Sequence, residues 1–227
     1  MEEIRPLAGP PAAAPGPDDR IWYAAYGSNM SVDRLTHYLR GGRAHGDAHR
    51  HPGCRDTRPP RRSAPVHLPG LLYFALESGV WGGGMGFYDA EQPDATPARA
   101  HLLTVGQFSD IAAQEMGRPT GTDLDLTTVL RSGRDRLGSG RYETLVCPGT
   151  LGGVPVLTFT APWTLAGAAL NVPRVGYLRH LAAGLAETHG WPPERAAAYL
   201  SSRPGAADHW TAAGLLAALA GDPAGAG

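Results

Sequence analysis

Ile21-Trp22-Tyr23-Ala24-Ala25-Tyr26-Gly27-Ser28-Asn29 is the stretch on which the fold turns. Its first six residues are apolar or aromatic without polar alternation, and Gly27-Ser28-Asn29 closes the run. A short continuous apolar run bounded by turn residues reads as a buried strand running into a loop. Ser31 then stands at a helix N-cap position. Leu35 and Leu39, four apart, give that helix one apolar face through about Arg40. Gly41-Gly42 stops it. A tight turn between a strand and a helix points several backbone N–H groups into one concavity, next to a helix N-terminus. That geometry suits a carboxylate or a developing oxyanion. Tyr26, Gly27, Ser28 and Asn29 are therefore candidate binding residues.

Outward from this stretch, residues 43–70 read as loop, with Pro59, Pro60, Pro65 and Pro69. Leu71–Ala75 reads as a strand. Gly82-Gly83-Gly84-Met85-Gly86-Phe87-Tyr88 is apolar but glycine-loaded, which marks a bulge or a close backbone approach. Ala98–Val105 reads as a strand broken by Gly106, followed by a helix over Gln107–Met116. A short helix fits Leu126–Leu130. Arg141–Cys147 and Val154–Thr160 form a hairpin around Gly152-Gly153. Pro173 opens the strongest helix, with Val175, Leu178, Leu181, Ala182 and Leu185 on one face and Gly190 as its stop. An amphipathic segment, Pro193–Ser201, follows. Strands and helices alternate irregularly, and no G-x-G-x-x-G follows the first strand. The expected fold is α+β: one mixed domain with a strongly bent, barrel-like mixed sheet flanked by helices, and not a Rossmann fold. The expected organisation is a disordered arm over 1–20, the domain over 21–203, and a tail over 204–227 with a short helix.

Composition sets bounds. The 227 residues include 31 glycines and 21 prolines, roughly twice the usual share. Yet 42% are hydrophobic, enough to bury a core. The excess concentrates in 41–70, 79–97 and 117–155, which reads as a loop-rich domain. Twenty basic against 21 acidic residues leave a net charge of -1, so no global field favours nucleic acid. Every basic residue is arginine, as a GC-rich bacterial genome produces; without lysine, Schiff-base and P-loop chemistry are excluded. Cys54 and Cys147 cannot build a disulfide scaffold or a four-cysteine zinc site. No apolar run reaches membrane-span or signal length, so the expected setting is cytoplasmic, with no membrane partner.

Glu115 shares a helical face with Phe108, Ile111 and Ala112. A carboxylate on an apolar stripe is at least partly desolvated, and desolvation raises its pKa towards that of a useful general base. Glu77 is a weaker second carboxylate candidate. The segment 43–62 holds six arginines with His45, His49, His51 and Cys54, which are acceptable zinc ligands at an unfamiliar spacing. Solvated loop is the plainer reading of that segment. Ser28 has no histidine nearby in sequence and no G-x-S-x-G context, which counts against a serine nucleophile.

Tyr26-Gly27-Ser28-Asn29-Met30 resembles the Y-G-S-N-[LM] signature of the γ-glutamylcyclotransferase family. Trp81-Gly82-Gly83, Arg99–Val105, the apolar pair Phe108 and Ile111, and Pro173–Tyr177 with Gly184 and Gly190-Trp191-Pro192 follow in that family's order. The resemblance spans about 21–203 and puts Glu115 on the catalytic glutamate. It implies cyclisation of a γ-glutamyl amide to 5-oxoproline and a free amine. Tyr26, Gly27, Ser28, Asn29, Met30 and Tyr177 would bind the substrate, with no metal and no organic cofactor. The implied partner is a small γ-glutamyl molecule, and a homodimer is left open. Two alternatives stand beside it: a metal-dependent amide hydrolase using His45, His49, His51 and Cys54, and a non-catalytic small-anion-binding module of the same fold.

Overall fold

In the computed structural model, which describes residues 3–6, 9, 15–43 and 50–221, the aromatic run forms β1 (Arg20–Ala25). A one-turn 3-10 segment, Ser28–Met30, leads into α1 (Val32–Arg40). Then come β2 (Ser63–Pro69), β3 (Leu71–Ala75), β4 (Met85–Asp89) and β5 (Ala95–Thr104). α2 (Val105–Glu115) and α3 (Thr127–Ser132) follow. β6 (Arg134–Arg136), β7 (Thr144–Leu151) and β8 (Val154–Thr160) precede α4 (Val175–His189), α5 (Pro193–Ser201) and α6 (Ala212–Ala220).

The strands make one six-stranded sheet in the order β2-β5-β1-β8-β7-β6, and a separate β3-β4 pair. β1 lies in its middle, antiparallel to β5 and parallel to β8, so the sheet is mixed. Central placement explains the unbroken apolar run, because both faces are covered. Trp22 and Ala24 face one core with Leu178, Leu181 and Leu185 of α4 and Leu200 of α5. Ile21, Tyr23 and Ala25 face the other, with Leu35 and Leu39 of α1 and Phe108 and Ile111 of α2. The mixed α+β domain flanked by helices is thus present. The barrel-like expectation is corrected: among the described residues the sheet ends in two edges, β2 and β6, that do not pair with each other, and β3-β4 stands apart.

The loop reading of 43–70 is corrected at its end by β2. Ala64, Val66 and Leu68 are buried in strict alternation with outward residues. Pro65 and Pro69 suggested loop, but β2 is an edge strand, where a missing N–H is tolerated. Thr104, rather than Gly106, ends β5. Its hydroxyl accepts from the Gln107 amide while the Gln107 side chain accepts from the Thr104 amide, a reciprocal cap that starts α2 two residues early. Within the expected arm, Arg5 bonds Thr150 of β7 in both directions. In the expected tail, Leu215 of α6 is buried in the α4–α5 core. No helix among the described residues is long and apolar enough to cross a membrane.

The glycine-rich segment before β4 is a close backbone approach. The Gly84 amide donates to Val172 O at 2.8 Å, and a Cβ on Gly84 would lie 2.1 Å from Asn171 O. Gly84→Ala is expected to cost about 2 kcal/mol through overpacking, read as a lowered thermal midpoint. An unchanged midpoint would mean that the two segments part freely.

Candidate active site

The turn after β1 opens on a cavity of about 490 Å³. Tyr26, Gly27, Ser28, Asn29, Glu115 and Tyr177 all line it, so residues far apart in sequence converge there. Inside the turn, Met30 N donates to Gly27 O and Ser31 N to Ser28 O. Among the described residues, the amides of Gly27, Ser28 and Asn29 donate to no protein acceptor. Three adjacent donors left without a protein partner at the start of a helical turn have the chemistry that an anion site needs. Met30 is not brought to the cavity. It is buried with Leu181 and Leu185 of α4 and holds the turn down from behind.

Glu115 ends α2 and is the only carboxylate among the described lining residues. Asn29 Nδ2 donates to its Oε1 at 3.0 Å and lies 3.4 Å from the Tyr23 hydroxyl. Burial pushes the Glu115 carboxyl up from its ordinary range, opposed by hydrogen bonds from Tyr38 and Asn29 and by the charge of Arg34. Desolvation prevails, which is the state wanted of a group that takes and returns a proton. Asn29 is 4% exposed, and its Oδ1 has no hydrogen-bond partner among the described residues.

The tyrosines divide by the use of their hydroxyls. Tyr26 donates to Phe159 O at 2.9 Å, so its proton is committed to the scaffold. The Tyr177 hydroxyl instead accepts from Gly86 N at 3.2 Å and keeps its own proton for a ligand. Burial, with the Glu115 charge behind it, raises that phenol to about 12, so it stays a donor. Gly86 is needed here, because a Cβ would lie 2.9 Å from the Tyr177 oxygen.

Among the lining residues that the sequence did not single out, two come from α1. Arg34 and Tyr38 project from α1 and are each 7% exposed. The Arg34 guanidinium lies over Trp81, 5.6 Å from the ring centroid. Tyr38 lines the cavity with Glu115 and packs on His51, centroids 4.0 Å apart. His51 is set by a two-way backbone bridge with Gly42, at 3.0 and 2.7 Å. The signal was available: Arg34 adjoins Leu35 and precedes Tyr38 by one turn, the same charge-on-a-stripe pattern that singled out Glu115.

Of the four residues of the metal alternative, Cys54 and His51 are described. Cys54 is buried off the cavity, with Sγ 3.4 Å from Tyr38 O, and burial raises its thiol to about 12. His51 lines the cavity, while His45 and His49 lie outside the described residues. Among the described residues no three His, Cys, Asp or Glu side chains cluster to hold a metal. Glu77 is exposed and off the cavity.

Fold and site together define a mixed α+β protein with a half-buried carboxyl beside a turn of unengaged amides. No family model matches the chain. Among curated proteins, histone deacetylase 5 of Arabidopsis thaliana is 31% identical over 202 residues, covering 79% of this chain and 30% of that protein. The chain thus spans less than a third of that relative's length. Among solved structures, a chain described as gamma-glutamyl cyclotransferase has a TM-score of 0.48 and 14% identity over 82% of this chain and 89% of that one. An uncharacterized human protein has a TM-score of 0.49 and 14% identity over the same shares.

Proposed function

We propose that the protein cyclises a γ-glutamyl amide, releasing 5-oxoproline and a free amine. The observation that carries this reading is the Glu115 carboxyl held by Asn29 beside the unengaged amides of Gly27, Ser28 and Asn29. In this reaction the substrate's own α-amine attacks its γ-carbonyl, so proximity supplies much of the rate. The protein must remove a proton from the α-ammonium, stabilise the tetrahedral oxyanion and protonate the leaving amine. Glu115 takes the first proton and returns one to the departing nitrogen. The turn amides face the oxyanion. Arg34 binds the α-carboxylate through its fork of donors, and the Tyr177 hydroxyl adds a neutral donor. Each role falls on a group that lines the cavity.

The test is 5-oxoproline release across a panel of γ-glutamyl amides. A negative result over the whole panel, with binding of γ-glutamyl compounds retained, would favour the binding-module alternative. Ser28→Ala separates backbone from side-chain chemistry. Acting through amides, the turn should keep its rate within about fivefold, since only an ordinary hydroxyl contact is lost. Complete loss in a folded Ser28→Ala protein would revive a serine nucleophile.

A further inference from the structure

His101 lies outside the cavity lining and is fully buried in the middle of β5. The sheet register sets it opposite Ser63 of β2 on one side and Tyr23 of β1 on the other. Directly paired residues share a face, so Ser63, His101 and Tyr23 form one row running towards Asn29. The contacts follow that row. Ser63 Oγ lies 2.9 Å from His101 Nδ1, and His101 Nε2 lies 3.3 Å from Asn29 O. The Tyr23 hydroxyl, next along, meets Asn29 Nδ2.

A backbone carbonyl only accepts, so His101 Nε2 carries the hydrogen and donates to Asn29 O. Nδ1 is then the acceptor for the Ser63 hydroxyl, which fixes the tautomer. Burial, with the nearby Arg99 charge, lowers the imidazole pKa to about 3, so the ring stays neutral in use. Asn29 is thereby gripped at its carbonyl by His101 and at its side chain by Tyr23 and Glu115.

We propose that His101 is a positioning residue: oriented by Ser63, it holds the Asn29 peptide so that the Asn29 amide stays on the Glu115 carboxyl. The role rests on the reading of Glu115 as the proton-transfer group. It goes beyond that reading by naming a residue that touches neither substrate nor carboxyl.

The sign of the effect is fixed. The Asn29 hydrogen bond favours the charged carboxylate. Loosening Asn29 therefore raises the Glu115 pKa. The groups facing the His101 ring are Arg99 on its own strand, Ser63 and Tyr23 on the neighbouring strands, and Asn29 O.

The test follows the Glu115 carboxyl by carbon NMR of the intact protein labelled at its glutamate side chains, with Glu115→Gln identifying the signal. His101→Leu should move this titration upward by about 0.7 pH unit, the equivalent of one ordinary hydrogen bond. His101→Gln, whose amide nitrogen can stand where Nε2 does, should restore it. Ser63→Ala, on an exposed edge position, should shift it part of the way. The acid limb of kcat/KM should move in the same direction. An unshifted titration in folded His101→Leu overturns the proposal. So does an equal shift in the Leu and Gln variants with equal loss of Tm, which would be core packing alone. Should His101→Leu fail to fold, Ser63→Ala decides, and an unshifted titration there overturns it. If the wild type releases no 5-oxoproline, the catalytic reading falls, while the carboxyl titration still decides for or against His101.

Discussion

Glu115→Gln is expected to lower 5-oxoproline release about 1,000-fold, within the usual range for loss of a general acid–base group. The amide keeps an oxygen for Asn29 Nδ2, so the local geometry survives. What is lost is the ability to accept and return a proton. Stability should move the other way. The folded Glu115 pKa is raised above its ordinary value of 4.5, so the fold favours the protonated acid. That stability is present at low pH and fades as pH rises from the unfolded pKa to the folded one. Glutamine carries no such cost. Near neutral pH the variant should therefore melt at or above the wild type, and the difference should vanish below a pH of about 4.5. Turnover retained in Glu115→Gln would end the assignment. Activity lost together with a large fall in Tm would make Glu115 structural.

Arg34→Leu is the second large effect. A charge-assisted pair in a partly desolvated cavity is worth about 3 kcal/mol, or roughly 100-fold. If Arg34 grips the α-carboxylate in ground state and transition state alike, the change falls mainly on KM. Arg34→Lys should recover only part of it. An ammonium lacks the planar fork and stacks less well on the Trp81 ring that now lies against the guanidinium. Unchanged KM with a collapsed kcat would move Arg34 from substrate binding to transition-state charge. Steady-state kinetics on one γ-glutamyl amide separate the two outcomes.

Much of the fold was legible because the chain states its periods openly. β1 is an unbroken apolar run because it is central, and α4 begins after Pro173 and ends at Gly190 as its stripe requires. β2 was hidden by Pro65 and Pro69, although Ala64, Val66 and Leu68 alternate beneath them. Sheet closure was not legible, because strand pairing is a long-range choice that local pattern does not encode. In the site, Glu115 was visible as a charge on an apolar stripe. Arg34 obeys the same rule but lay beside the more conspicuous turn. His101 could not be found from local pattern. Its meaning comes from the register that puts Ser63 and Tyr23 at its sides.

The bridge between Gly42 and His51 has a consequence for how this protein can change. The bridge fixes the start and end of the intervening chain, and Cys54 N on Leu39 O pins the exit again at 2.9 Å. The place of His51 against Tyr38 is therefore independent of how many residues separate it from Gly42. Closing a chain between two anchors costs only about 0.6 kcal/mol more for each doubling of its length. Glu115 and the turn of residues 27–29 stand on other elements, the end of α2 and the end of β1, so a change in that spacing leaves their own anchors in place.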